Sequence, residues 1–195
     1  MAIYTLGFHI ELSIQQILDC DFGFSLGCSG GYLEGPFNFM EVNGVETEFI
    51  YPYTSGADAQ TGECRSTNGP YKIRSFRGLT SGDCNELQTA LSKKPITVGI
   101  TGTQLQLYSE GVFDGCDSAL NHAVLVVGHR PGVAWKIKNS WGTGWGQEGY
   151  GWIADGNTCR ICDLAYEPFL TEETQDGDTG GLEGQFITLE FLQQD

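Results

Sequence analysis

The chain has 195 residues, 40% of them apolar, which is enough for one core or two small lobes. A formal net charge of −15 argues against a nucleic-acid partner and against an anionic membrane surface. No apolar run reaches the roughly 18 residues that a membrane-spanning helix needs, and residues 1–10 lack the basic start of a signal peptide.

Seven acids and no Lys or Arg follow Leu170, so the rest of the chain carries only −8. Twenty-eight glycines predict a loop-rich fold with many turns. Seven cysteines, far apart and mostly near Gly, Asp or turn residues, suggest disulfides and an oxidising compartment. The odd count leaves one without a partner.

In chain order, residues 13–20 read as a short helix. Ser13 caps it and Gln16 is placed to reach back, in a Ser-x-x-Gln capping box. Gly27-Cys28-Ser29-Gly30-Gly31-Tyr32 follows, where paired glycines let an extended peptide backbone approach. Residues 36–42 read as a helix with Phe37 and Met40 as core, ended by Asn43-Gly44.

A polar loop over 54–69 contains Cys64. Three of the ten basic residues, Lys72, Arg74 and Arg77, gather within 71–77 with Arg65 just upstream, which reads as a solvated strand face at an inter-lobe boundary. Asp83 begins a capped helix with Leu87, Ala90 and Leu91 as its apolar stripe and Pro95 as its stop. Residues 96–100 alternate as a strand.

Two β-rich runs, 122–127 and 135–139, flank a turn at Arg130-Pro131-Gly132 and predict an antiparallel hairpin. It places His122 at the start of one arm and Asn139 at the end of the other, within hydrogen-bond reach, with Trp141 close enough to cover the bond. A neutral amide orienting an imidazole is the supporting half of Cys-His-Asn nucleophilic catalysis. Strands over 149–154 and 165–169 complete the body. Cys159-Arg160-Ile161-Cys162 forms a C-x-x-C, which reads as disulfide half-cystines rather than a redox pair or zinc site. No second C-x-x-C exists and the three histidines are scattered.

His122-Ala123 before an apolar strand, then Lys138-Asn139-Ser140-Trp141-Gly142 and Gly144-Trp145-Gly146 with Gly149-Tyr150 beyond, resembles the papain family of cysteine proteases. The Leu12-Ser13 to Asp19-Cys20 helix, Tyr51-Pro52-Tyr53, and Tyr108 with Gly111-Val112-Phe113 are also similar to family elements. The resemblance covers roughly residues 11–170.

It implies an α+β, papain-like two-lobe fold. Residues 1–76 would be the remnant of an incomplete N-terminal helical lobe and 77–170 a C-terminal antiparallel, β-barrel-like lobe. Residues 171–195 form an acidic tail whose composition predicts disorder.

The resemblance further implies His122 and Asn139 as catalytic residues, with Trp141 in support. Gly30, Gly31, Tyr32 and Leu33 would contact the peptide, and Gly99, Ala123 and Leu164 would line the P2 pocket. It implies disulfides Cys20–Cys64 and Cys116–Cys159, with Cys84 and Cys162 as a guessed third pair. Cys28 would pair with a cysteine outside the sequence. His129 stands where the family usually shows an aromatic residue and reads as structural. No metal or cofactor is expected.

The family's nucleophile sits in a Cys-Gly-Ser/Ala-Cys-Trp signature about 130–150 residues before the histidine. No cysteine precedes Cys20 and no Cys-Trp pair occurs. The matching position would fall roughly 10 to 30 residues before Met1. Residues 1–10 match no family element, although the resemblance would have the nucleophile-bearing helix there.

The expectation is therefore a papain-type cysteine endopeptidase domain that is inactive as written. Its partner would be an extended peptide or protein substrate, with no nucleic acid and no membrane. A monomer of lysosomal, vacuolar or secreted location is expected. The alternatives are a peptide-binding pseudoprotease that keeps the cleft, and a fragment with no independent role.

Overall fold

The computed structural model describes residues 2–5, 8–23 and 25–170. The acidic stretch 171–195, expected to be disordered, lies outside them. Two compact units divide this part of the chain, one over residues 2–76 with 168–170, the other over Arg77–Glu167.

The first unit opens with strands β1 (Ala2–Thr5) and β2 (Phe8–Glu11), which pair antiparallel. The resemblance would place the family's nucleophile-bearing helix in this region, and the chain forms a hairpin there instead. Helix α1 (Ile14–Cys20) follows, capped by Ser13 Oγ, which accepts from the Gln16 amide at 2.9 Å.

The reciprocal half of the expected capping box is not made. The Ser13 amide donates to the Glu46 carbonyl, and the Gln16 side chain bonds the Glu46 amide and the Ser66 and Asn68 carbonyls. Gln16 is fully buried, so its amide must satisfy both its donor and acceptor ends, and three long-range backbone partners do so.

Asp19 is treated in the same way. Its buried carboxylate accepts from Gln15, from the Tyr51 hydroxyl and from the Gly62 amide. These bonds tie α1 to the polar loop beyond Tyr51, and the Cys20–Cys64 disulfide adds a covalent tie beside them. Helix α2 (Glu34–Val42) buries Phe37, Phe39 and Met40 and ends at Asn43.

After β3 (Ser75–Gly78), helix α3 (Cys84–Leu91) starts at Asp83, whose carboxylate accepts from the Asn85 and Glu86 amides. Strands β4 (Ile96–Ile100), β5 (His122–Arg130), β6 (Ala134–Lys138), β7 (Tyr150–Ala154) and β8 (Leu164–Phe169) complete the elements. The sheet order is β3-β8-β4-β5-β6-β7, and the pairings from β8 through β7 are antiparallel.

The order is linear, with β3 and β7 at its ends. The barrel-like closure that the resemblance implies is therefore corrected to an open sheet. The predicted alternation of β4 also fails: Ile96, Thr97, Val98, Gly99 and Ile100 are all buried, because β4 lies between β5 and β8 and is covered on both faces. Buried strands read as continuous apolar runs rather than alternating ones.

The core of the second unit gathers Leu87 and Ala90 from α3 with Ile96, Val98, Val124, Trp135, Ile137 and Ile153 from the sheet. Two disulfides cross it, Cys84–Cys162 and Cys116–Cys159, so the two members of the C-x-x-C go to different partners.

Arg77 corrects the expectation of a solvated basic face. Its guanidinium pairs with Glu86 at 2.6 Å and with Glu167 at 2.8 Å, and the Glu167 side chain is only 3% exposed. A carboxylate at that depth requires a partner charge.

Candidate active site

The site in the second unit is built by strand register. Val98, Gly99 and Ile100 of β4 lie opposite Val124, Ala123 and His122 of β5, so His122 opens β5 at the end of the sheet's central pair. The β5–β6 hairpin then returns the chain through Lys138, which pairs with Leu125, and Asn139 follows immediately.

His122 Nε2 and Asn139 Oδ1 are 2.8 Å apart. Asn139 is fully buried and its amide donates to the Gly149 carbonyl at 3.0 Å, so the backbone that carries it is fixed. The Ser140 amide also donates to Asn139 Oδ1, at 2.8 Å. A donor on that atom identifies it as the carbonyl oxygen.

An oxygen that only accepts requires a donor on the histidine side. His122 Nε2 therefore carries the proton, and the neutral ring keeps its basic lone pair on Nδ1. The register of one hairpin thus selects the tautomer.

Two surfaces enclose the imidazole. Trp141 stacks on it with ring centroids 4.4 Å apart and planes inclined by 23°. Trp145 meets Trp141 edge-on at 5.5 Å and anchors its own indole N–H on the Leu105 carbonyl. A Cβ added to Gly102 would stand 2.5 Å from the His122 Cβ, so the Gly102 backbone lies hard against this side chain.

Burial lowers the basicity of His122, and its bond to Asn139 opposes that shift without reversing it. Asn139 brings no full charge to the ring, which stays neutral near pH 7 and ready to accept a proton.

Of the sequence-predicted pocket residues, Gly99, Ala123 and Leu164 come together. Gly99 is the register partner of both others, and an added Cβ there would meet Leu164 Cδ2 at 3.0 Å. Gly30, Gly31, Tyr32 and Leu33 belong to the first unit. There Gly30 has φ 107° and accepts from the Leu26 amide, Gly31 bridges Ser25, and the Tyr32 side chain is exposed.

The cysteines implied as pairs are bonded Cys20–Cys64 and Cys116–Cys159, and Cys28 is exposed and free. His129 stacks on Trp135 at 3.6 Å and bonds Asp155 at 2.6 Å, which holds the Asp155 carboxyl below its usual range. Sequence reasoning missed two residues around His122. Trp145 was visible in the Gly-Trp-Gly repeat but had no role, and Gly102 carried no local signal.

A half-buried imidazole with one nitrogen tied to a carboxamide and an indole stacked on its face is the arrangement that Cys-His-Asn chemistry asks of its base. The model of the papain family of cysteine proteases matches residues 1–169, and the chain belongs to this family.

It is 37% identical over 163 residues to cathepsin L 2 of Paramecium tetraurelia, covering 82% of this chain and 50% of the relative. The chain spans about half the length of the curated relatives it matches. Among solved structures, it superposes on a Carica candamarcensis cysteine protease in complex with E-64. The TM-score is 0.76 at 28% identity, covering 85% of this chain and 80% of that one.

Bromelain of Ananas comosus, also in complex with E-64, gives a TM-score of 0.75 at 34% identity over 87% of this chain and 83% of that one. The papain-like fold follows from these likenesses. The family match extends to residue 1, beyond the 11–170 span of the sequence resemblance, although residues 2–5 and 8–11 form a hairpin here.

Proposed function

We propose that this chain carries the proton-transfer half of a papain-type cysteine endopeptidase and does not itself supply the attacking thiol. The observation that carries the reading is the 2.8 Å contact between His122 Nε2 and Asn139 Oδ1, with Trp141 stacked over the ring. That contact leaves Nδ1 as the atom that takes a thiol proton.

In the complete reaction the resulting thiolate attacks the peptide carbonyl. His122 returns the proton to the leaving amine as the C–N bond breaks, and a thioester remains on the sulfur. His122 next takes a proton from water, whose oxygen attacks the thioester and releases the carboxylate and the thiol. Asn139 keeps the ring in the productive tautomer throughout, and Trp141 keeps water from their bond.

The substrate is an extended peptide. Gly99, Ala123 and Leu164 would receive an apolar P2 side chain, and Gly30, Gly31, Tyr32 and Leu33 would contact the peptide, as the family resemblance implies. The E-64 bound by two structural relatives supports a peptide-like ligand. Three disulfides fit a lysosomal, vacuolar or secreted protein. The protein acts as a monomer in this reading.

Six of the seven cysteines are disulfide-bonded, and no Cys-Trp pair occurs in the sequence. The 195-residue protein is therefore expected neither to hydrolyse fluorogenic peptides with apolar P2 residues nor to take up E-64 covalently. In-frame transcript sequence upstream of Met1 encoding Cys-Gly-Ser-Cys-Trp, expressed with the rest, is expected to confer both activities. Turnover by the 195 residues alone would contradict the absence of a nucleophile. A longer product that folds, carries the cysteine and stays inert would favour the second reading, a peptide-binding pseudoprotease.

A further inference from the structure

We propose that the Cys159-Arg160-Ile161-Cys162 turn is a two-electron redox switch. On reduction, Cys159 and Cys162 leave their separate partners and bond to each other, which frees Cys84 and Cys116. The inference goes beyond the peptidase reading and does not depend on it.

The two members of this C-x-x-C hold two different segments of the second unit, Cys159 through Cys116 and Cys162 through Cys84. Both are buried, at 4% and 2% exposure, in the core that also takes Ile161. Cys84 and Cys116 are only partly buried and pack against the margin of that core. Each bridge thus has one accessible sulfur and one deep one, and the deep ones are three residues apart.

The turn is held in a conformation that side-chain-bearing residues disfavour. Cys159 has φ 54° and Arg160 φ 60°, both left-handed and neither a glycine. Cys159 is tied by its bridge, and Arg160 by Asp163 at 2.7 Å and the Ser118 carbonyl at 3.1 Å. Ile161 already lies in the right-handed region. If Cys159 and Arg160 join it, the segment becomes a helical turn, which brings Cβ atoms three residues apart to about 5–6 Å. A slight further closure reaches the roughly 3.5–4.5 Å of a disulfide.

The reductant is a thiol of the glutathione class, whose thiolate attacks the accessible Cys116 sulfur. The Cys116–Cys159 bond breaks, and Cys159 is left as a thiolate in an apolar core. That thiolate attacks Cys162, the Cys162–Cys84 bond breaks, and the electron pair leaves on Cys84. A second thiol displaces the first from Cys116 and the two depart as a disulfide, while their protons end on Cys84 and Cys116. Two thiols are oxidised and two protein bridges become one. The exchange moves charge from a deep sulfur to a more accessible one and relieves the left-handed backbone, so both changes favour it.

The switch reaches the site through one bond. The Thr101 amide donates to the Cys159 carbonyl at 3.0 Å, and Gly102, next in the chain, lies against His122. Turning Cys159 to the right-handed region takes that acceptor away.

The test treats the 195-residue protein with limiting dithiothreitol, quenches it in acid, alkylates it, and digests it without further reduction. Mass spectrometry then reads the molecules that have lost one bridge of the second unit. Cleavage after Arg160 parts Cys159 from Cys162, so the new bond appears as two fragments that stay linked. That link is expected, with alkyl groups on Cys84 and Cys116 and on Cys28, which is free from the start. Alkylated Cys116 with Cys159, or Cys84 with Cys162, and no link overturns the proposal.

The C84A variant decides the same point without a reductant. Its unpaired Cys162 is expected to capture Cys159 and leave Cys116 as the alkylated residue, whereas an alkylated Cys162 overturns the exchange. In the exchanged protein the Thr101 amide is expected to lose protection from hydrogen exchange, and unchanged protection overturns the connection to His122. None of these readouts uses hydrolysis, so a thiol-bearing form that cleaves no peptide would remove the peptidase reading and leave the switch standing.

Discussion

His122 and Asn139 are seventeen positions apart in sequence and 2.8 Å apart in space, joined because β5 and β6 pair in the register that sets Leu125 opposite Lys138. The Ser140 amide on the same Asn139 oxygen turns that proximity into a directed bond. The chemistry proposed for the chain follows from this one geometric fact.

Replacement N139A removes the acceptor from His122 Nε2 and from the Ser140 amide together. Leaving two partly buried donors without their acceptor costs on the order of 1 kcal/mol, so the unfolding midpoint in urea is expected to fall accordingly. In a thiol-bearing form the freed ring is expected to lose on the order of 10²-fold in kcat with little change in KM. A large rise in KM with kcat intact would point to substrate binding instead.

The depressed basicity of His122 makes stability depend on pH with a definite sign. Burial is the main cause of the depression, so the folded chain resists a proton that the unfolded chain accepts near pH 6.5. Above about pH 6.5 neither state is protonated and the neutral ring costs nothing. As pH falls through that value the unfolded state binds more protons, and stability declines until the lower folded value is passed. Denaturant unfolding between about pH 7.5 and 5 should show wild type losing stability relative to H122Q. Parallel curves for the two proteins would contradict the assignment.

The Arg77–Glu167 pair gives a sharper stability test. Glu167 is 3% exposed and depends on Arg77 at 2.8 Å, with Lys94 more distant at 3.9 Å. R77A strands that carboxylate and is expected to cost about 3 kcal/mol, whereas the double replacement R77M/E167M is expected to cost far less. Chemical unfolding of both variants checks this, and equal losses would show that shape rather than charge matters there.

The Cys84–Cys162 bridge closes a separation of 78 residues across the second unit. The C84A/C162A variant is expected to lose about 2–4 kcal/mol, because the unfolded chain regains the freedom that the bridge removes. Equilibrium unfolding under non-reducing conditions measures the difference.

Local signals made the helix caps and the central hairpin legible in the sequence. Ser13 and Asp83 were readable as caps because a cap acts within its own turn. The β5–β6 hairpin was readable because apolar runs flank a Pro-Gly turn. What stayed hidden depended on distant partners. Gln16 leaves its own cap for carbonyls 50 and 52 positions away, and Arg77 finds Glu167 90 positions on.

The uniform burial of β4 depends on its place between two other strands, which no periodicity within five residues can reveal. The open sheet in place of a barrel is likewise a property of strand order rather than of any one strand. Gly102 matters only because His122 stands against it.

The most direct measurement is the long-range nitrogen-15 NMR spectrum of His122 in the 195-residue protein at a pH where the ring is neutral. A proton on Nε2 and a bare Nδ1, held in one tautomer by the Asn139 oxygen, are expected. A ring protonated at Nδ1, or one exchanging equally between both forms, would contradict this expectation.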